Sequence, residues 1–130
     1  MNNNNPLNLD KIAAKSSQNI VNETQDKKTL ERLATKALGV LQNQGVYALM
    51  LFLLSRSGDE KEVAQKIKSH LVSTLEDLDP RKNLSNKNDR EVLNYFSENI
   101  STDIDLLLLV RDLYEKILIY TRFHAKAEGD

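Results

Sequence analysis

A run of nine apolar and aromatic residues, Val46–Leu54, limits most strongly how this chain can fold. Gly45 precedes the run, and a charged segment, residues 57–62, follows it closely. The run is too short to cross a bilayer, which needs about 20 residues, and a single amphipathic face does not need so much hydrocarbon. It therefore predicts a short central helix that neighbouring helices surround on every side, with Leu51 and Phe52 buried.

The composition of the chain favours long helices in one domain. Its 130 residues include only four glycines and two prolines, and a chain of this length can bury its own core. It has no cysteine, and residues 1–8 read as a disordered polar tail without the basic and apolar segments of a secretion signal. We therefore expect one all-helical domain over residues 9–128, in the cytoplasm.

Helical spacing of apolar residues and capping signals divide this domain into five or six helices. Gly45 stands where a left-handed residue ends a helix, and residues 79–87 form the clearest loop. No alternating strand pattern is long enough to compete, so the prediction is an all-α bundle with a long C-terminal helix. The predicted N-caps are, in chain order, Asp26, Asp59, Asn88 and Ser101.

The last predicted helix has two faces with different properties. One face forms the expected core seam, and the opposite face brings Arg111, Arg122 and Lys126 close together, with Leu108 and Ile119 nearby. The residues of the expected seam are Leu106, Val110, Leu113, Ile117 and Tyr120, and the residues expected to flank it are Leu107, Leu109 and Tyr114.

The mixed face has two interpretations. It is an ordinary solvated surface with an ion pair between Arg111 and Glu115, or it is a subunit contact with a phosphate-facing edge. Arg122 and Lys126 lie one turn apart, about 6 Å along the axis, which is close to the spacing of successive phosphates in an extended strand.

The residue types that usually carry catalysis are sparse. The two histidines, His70 and His124, match no metal-ligand pattern, and the four glycines are isolated rather than grouped in a phosphate loop. A net charge of -1 also differs from the strongly basic footprint of a free-standing nucleic-acid binder. The sequence predicts a binding or scaffolding protein with no catalytic residue, no metal and no cofactor.

Three stretches of the chain together resemble a known family. They are "KIAAKSSQNIVNE", "LATKALGVLQNQGVYALMLFLLSR" and "LLLLVRDLYEKILIYTRFHAKA", in that order. The combination resembles the small, all-helical subunit of type III CRISPR-Cas effector complexes, most closely the Cmr (III-B) version. Members of that family often carry a tryptophan and then a Lys-Arg pair in the closing helix, where this chain has Tyr120, Thr121, Arg122 and Phe123.

The resemblance implies a non-catalytic role in an RNA-guided complex. Copies of the subunit would stack on one another and touch the backbone subunits and the large subunit. They would contact phosphate and sugar of the guide RNA and target RNA, because base pairing reads the sequence. The family's basic positions correspond to Arg56, Arg122 and Lys126.

The helical pattern adds three further candidates for nucleic-acid contact, which are Arg111, Lys36 and Lys15. Leu108 and Ile119 are the candidates for contact between subunits. The alternative is a helical protein-protein adaptor or dimerisation module that is unrelated to nucleic acid and uses the same two apolar residues.

Overall fold

The computed structural model describes residues 8–78, 83–84 and 86–129, and within them the chain forms six α-helices, one π-helical turn and no strand. The predicted all-α bundle with a long C-terminal helix is therefore confirmed. The predicted tail and the predicted loop fall largely outside the described residues. In chain order the elements are α1 (Leu9–Glu23), α2 (Lys27–Gln44), α3 (Val46–Leu54), α4 (Asp59–Leu78), α5 (Asp89–Tyr95), the π-helical turn (Phe96–Ile100) and α6 (Ile104–Gly129).

Side-chain caps begin several of these helices. The Asn8 side chain accepts a hydrogen bond from the backbone N–H of Lys11 at 3.0 Å, so Asn8 is the N-cap of α1 rather than part of a tail. Asp26 caps α2 as predicted, and Asn88 forms the predicted capping box with Glu91 at the start of α5. Gly45 separates α2 from α3 with a φ of 98°, a conformation that favours glycine.

Two predicted start signals are wrong. Asp59 is the first residue of α4 rather than its cap, and its carboxylate lies 3.5 Å from Arg32 of α2. Ser101 is not the cap of α6, because the backbone N–H of Leu106 donates to the Asp103 side chain at 3.2 Å. In both cases the true start of the helix is displaced slightly from the predicted one, and the spacing of residues does not resolve so small a difference.

The long helix α6 packs mainly against α1 and α2. Gly129 at its end lies against the side chain of Lys27 at the start of α2, while Arg111 reaches Gln42 at the end of α2, so α2 and α6 are antiparallel. Asp10 at the start of α1 accepts a hydrogen bond from the Tyr120 hydroxyl. Contacts on two sides therefore hold α6 along most of its length.

Helix α4 closes the core against α1, α2 and α3. Tyr114 of α6 is fully buried, and its hydroxyl donates a hydrogen bond to the backbone carbonyl of Leu71 in α4 at 2.8 Å. The Thr74 hydroxyl donates to the same carbonyl at 2.7 Å. Burial raises the pKa of the Tyr114 phenol well above its usual value, because the ionised form would lose its hydration.

The seam of α6 differs from the predicted one. Val110, Leu113 and Ile117 are buried as expected, but Leu106 and Tyr120 are only partly buried. The buried face lies further round the helix because α1 and α2 both pack against it. It includes Tyr114, which was expected to flank the seam, and it is completed by residues outside the prediction, namely Leu118, Thr121 and Ala125.

The predicted environment of α3 is wrong on one side. Leu49, Met50 and Leu53 face the core, whereas 44% of Leu51 and 38% of Tyr47 remain exposed. Neighbouring helices thus cover α3 only in part. Within the described residues, no helix is both long enough and apolar enough to cross a membrane.

Candidate nucleic-acid and subunit interface

Arg56, at the exit of α3, is held by its own helix. Its Nε donates to the Phe52 carbonyl at 3.0 Å, and its guanidinium lies 4.1 Å from the centre of the Phe52 ring. A second donor reaches the Ser55 hydroxyl at 3.1 Å. The Phe52 carbonyl also accepts from the backbone N–H and the hydroxyl of Ser55, so Arg56 adds a further hydrogen bond at the end of α3. Because its guanidinium also lies against the partly buried ring, Arg56 stabilises the end of this helix.

Lys36 belongs to a charge cluster around Glu60. The Lys36 Nζ lies 3.0 Å from one Glu60 oxygen, and Arg32 and Arg56 approach the same carboxylate at 3.5 Å and 3.6 Å. Only 12% of the Glu60 side chain is exposed. The hydrogen bond from Lys36 lowers the pKa of the Glu60 carboxyl. The cluster joins α2, the end of α3 and the start of α4.

Replacing Glu60 with glutamine should lower the free energy of unfolding by about 1 kcal/mol, because three cations lose a shared, mostly buried carboxylate. Urea denaturation followed by circular dichroism measures the change. Glu62→Gln, an exposed neighbour in the same turn, is the control and should stay within about 0.5 kcal/mol of the wild type. Equal effects of the two substitutions would show that the cluster does not stabilise the fold.

Arg111 is also engaged inside the molecule. Its guanidinium donates to the carbonyl of Gln42, 3.3 Å away, at the last turn of α2. The Gln42 side-chain amide donates in turn to Glu115 at 3.0 Å. The two charged side chains of α6 therefore bridge to α2 and satisfy a helix-end carbonyl, in place of the predicted direct pair between them.

Arg122 and Lys126 occupy the outer side of α6. Lys126 is exposed, and the partly exposed Arg122 guanidinium lies 5.4 Å from the centre of the Phe123 ring. Among the described residues neither cation has a carboxylate within 4.0 Å. Both charges are thus available to an external anion, and they lie one turn apart on the same side.

Lys15 lies apart from these two, on the wall of a cleft between α1 and α4. The cleft has a volume of about 480 Å³, and its wall includes Lys11 and Lys15 from α1 and His70 and Asp77 from α4. His70 lies 3.0 Å from Glu23, and this hydrogen bond lowers the pKa of the Glu23 carboxyl. Lys15 is exposed, but its cleft also contains the carboxylate of Asp77, which would oppose a phosphate.

The two predicted subunit contacts lie on the outer side of α6. Leu108 is 52% exposed and Ile119 is half-buried. Sequence reasoning missed Phe123, which is 59% exposed and continues the same apolar line toward the C-terminus. Its position on the helical wheel, next to Ile119 and opposite the core, was the signal that could have identified it.

The structure separates the predicted site residues. Arg122, Lys126, Leu108 and Ile119 lie on one side of α6. Lys36 and Arg111 form contacts between helices, and Arg56 contacts both its own helix and Glu60 of α4. Lys15 lies apart, in the cleft between α1 and α4. No group of three or more His, Asp or Glu side chains in the described part of the chain is arranged to hold a metal ion.

Comparison of the chain with models of protein families, with curated proteins and with solved structures gives no match.

Proposed function

We propose that this protein is a non-catalytic subunit of a larger assembly, namely the small subunit of a type III CRISPR-Cas RNA-guided effector complex. One observation carries the proposal: Arg122 and Lys126, which form no ion pair with the other described residues, lie beside the exposed apolar side chain of Phe123 on the outer side of α6. A surface with both properties suits a subunit that contacts protein and nucleic acid together. The three stretches that resemble the CRISPR small subunit support the finer assignment.

The proposed partners are other copies of the chain, the backbone and large subunits of the complex, and the guide and target RNA. A near-neutral chain suits this role because each copy adds a few weak phosphate contacts to an assembled groove. We assign these contacts first to Arg122 and Lys126, and then to Lys15. Arg56, Lys36 and Arg111 are weaker candidates because internal hydrogen bonds or ion pairs already engage them.

The double variant Arg122→Ala/Lys126→Ala tests the phosphate contacts. The reconstituted complex should bind target RNA several-fold more weakly. Its affinity should also depend less on salt. The slope of log affinity against log salt concentration should become shallower by roughly 0.7 for each phosphate contact that is lost. The measurement is RNA binding over a series of salt concentrations, with circular dichroism to verify folding.

The matched control removes one lysine and one arginine elsewhere. Lys61→Ala/Arg90→Ala changes the net charge equally, at exposed positions on α4 and α5. It should leave both the RNA affinity and the salt slope unchanged. If the Arg122 and Lys126 variant also leaves them unchanged, or if the control reduces them equally, the proposed contact surface is wrong.

A second candidate is a helical adaptor that binds protein only. The observation that favours it is the exposure of large apolar side chains on two different helices, Tyr47 and Leu51 on α3 and Leu108 and Phe123 on α6. Under this alternative, labelled single-stranded RNA gains no affinity from the protein in any assembly. The RNA titration above therefore separates the two candidates.

A further inference from the structure

The outer side of α6 carries opposite charges in its two halves. Asp105 and Asp112 are exposed in the N-terminal half, and Lys126 is exposed in the C-terminal half. Lys116, also in the C-terminal half, lies 3.9 Å from the carboxylate of Asp10 in α1, with 43% of its side chain exposed. Two large apolar side chains, Leu108 and Phe123, lie among these charges, and both are more than half exposed. We define this stripe, from Asp105 to Lys126, as the outer stripe of α6.

The outer stripe is symmetric about its midpoint, which lies between Glu115 and Lys116. Asp105 and Lys126 are equally far from that point, and so are Leu108 and Phe123. In an antiparallel pair of identical helices related by a two-fold axis, residues equally far from the axis share one layer. A two-fold axis at this midpoint would therefore bring each Asp105 to the partner's Lys126, and each Leu108 to the partner's Phe123.

A parallel pairing of the same stripe is unfavourable. It would place Asp105 opposite Asp105 and Lys126 opposite Lys126, and like charges in contact oppose association. Charge complementarity therefore selects the antiparallel arrangement, and the two exposed apolar side chains supply the area that it would bury.

We propose that two copies of the free chain pair through the outer stripe of α6, with the two helices antiparallel across a two-fold axis. The contact uses the same surface on both copies, so it closes at two and cannot extend into a stack. It also covers Lys126, so pairing and phosphate binding compete for this side chain. The pairing itself does not depend on the proposed role in RNA binding.

Charge reversal tests the arrangement without RNA. The wild-type chain should sediment as a dimer of twice its 14.8 kDa mass at high concentration. Asp105→Lys and Lys126→Asp should each weaken dimerisation by roughly tenfold, because each replaces two attractive charge pairs with repulsive ones. An equimolar mixture of the two variants should dimerise again, because a chain with two lysines at these positions then faces a chain with two aspartates.

Sedimentation velocity of each protein alone and of the mixture gives the result, and circular dichroism verifies folding. Lys61→Asp, a lysine reversal on α4, is the control and should dimerise like the wild type. A wild-type chain that stays monomeric at about 1 mM overturns the proposal. So does a mixture that associates no better than the single variants, since this pairing requires the complementary chains to recover the contact.

Discussion

Leu53→Ala is expected to lower the free energy of unfolding by about 2–5 kcal/mol. Leu53 is only 2% exposed and lies on the inward side of α3, next to the fully buried Leu49 and Met50. Truncation to alanine removes buried methyl groups and leaves a cavity that the neighbouring helices fill only in part. Urea denaturation followed by circular dichroism measures the loss.

Leu51→Ala is the matched control, because it makes the same exchange on the same helix. Leu51 is 44% exposed, so the substitution should cost less than about 1 kcal/mol. The helix propensity changes equally in both variants, and the difference between them therefore measures burial alone. If Leu51→Ala costs as much as Leu53→Ala, the outward side of α3 is covered by protein and the described exposure is wrong.

This contrast shows what an apolar run can and cannot predict. The run Val46–Leu54 and the flanking Gly45 predict the presence of α3 and its start, and the helix indeed begins at Val46. They do not predict its orientation. With no charged residue in the run, nothing in the sequence marks Tyr47 and Leu51 as the side that stays in contact with solvent.

The predicted seam of α6 differs from the buried face for a related reason. Leu106, Leu107, Leu108 and Leu109 point in all directions around the helix, so they define no face. Further along the helix, Thr121 and Ala125 belong to the buried face. A threonine is polar and an alanine is small, so neither residue type predicts a core position. The orientation of α6 follows from packing against both α1 and α2, which single-helix periodicity cannot represent.

Local contacts could be predicted from the sequence, whereas contacts between residues far apart in the chain could not. Caps such as Asp26 and Asn88 act within three residues, and both were predicted correctly. The contacts that engage Lys36 and Arg111 reach Glu60 and Gln42, which are distant in the sequence. A cation that forms such a contact looks the same in the sequence as a free one, so only the fold separates Arg122 and Lys126 from the others.

Tyr114→Ala should be among the most damaging substitutions in the chain, with a loss of about 3–5 kcal/mol in the free energy of unfolding. Tyr114 is one of the largest fully buried side chains, and it joins α6 to α4 through its hydrogen bond to the Leu71 carbonyl. Tyr114→Phe keeps the ring and removes only this hydrogen bond. It should cost about 1 kcal/mol, because the Thr74 hydroxyl still donates to the same carbonyl.

Alkaline pH gives the Tyr114→Phe comparison a second readout. The folded state raises the pKa of the Tyr114 phenol above its usual value of 10.0, so this group stabilises the fold below that pH. As the pH rises above 10.0, the unfolded chain releases the phenol proton while the folded chain keeps it, and the wild type loses stability that Tyr114→Phe cannot lose. Denaturation curves at neutral and alkaline pH should therefore show the wild type losing its advantage over Tyr114→Phe. An advantage that grows with pH would mean that the phenol ionises more readily in the folded state and is not buried as described.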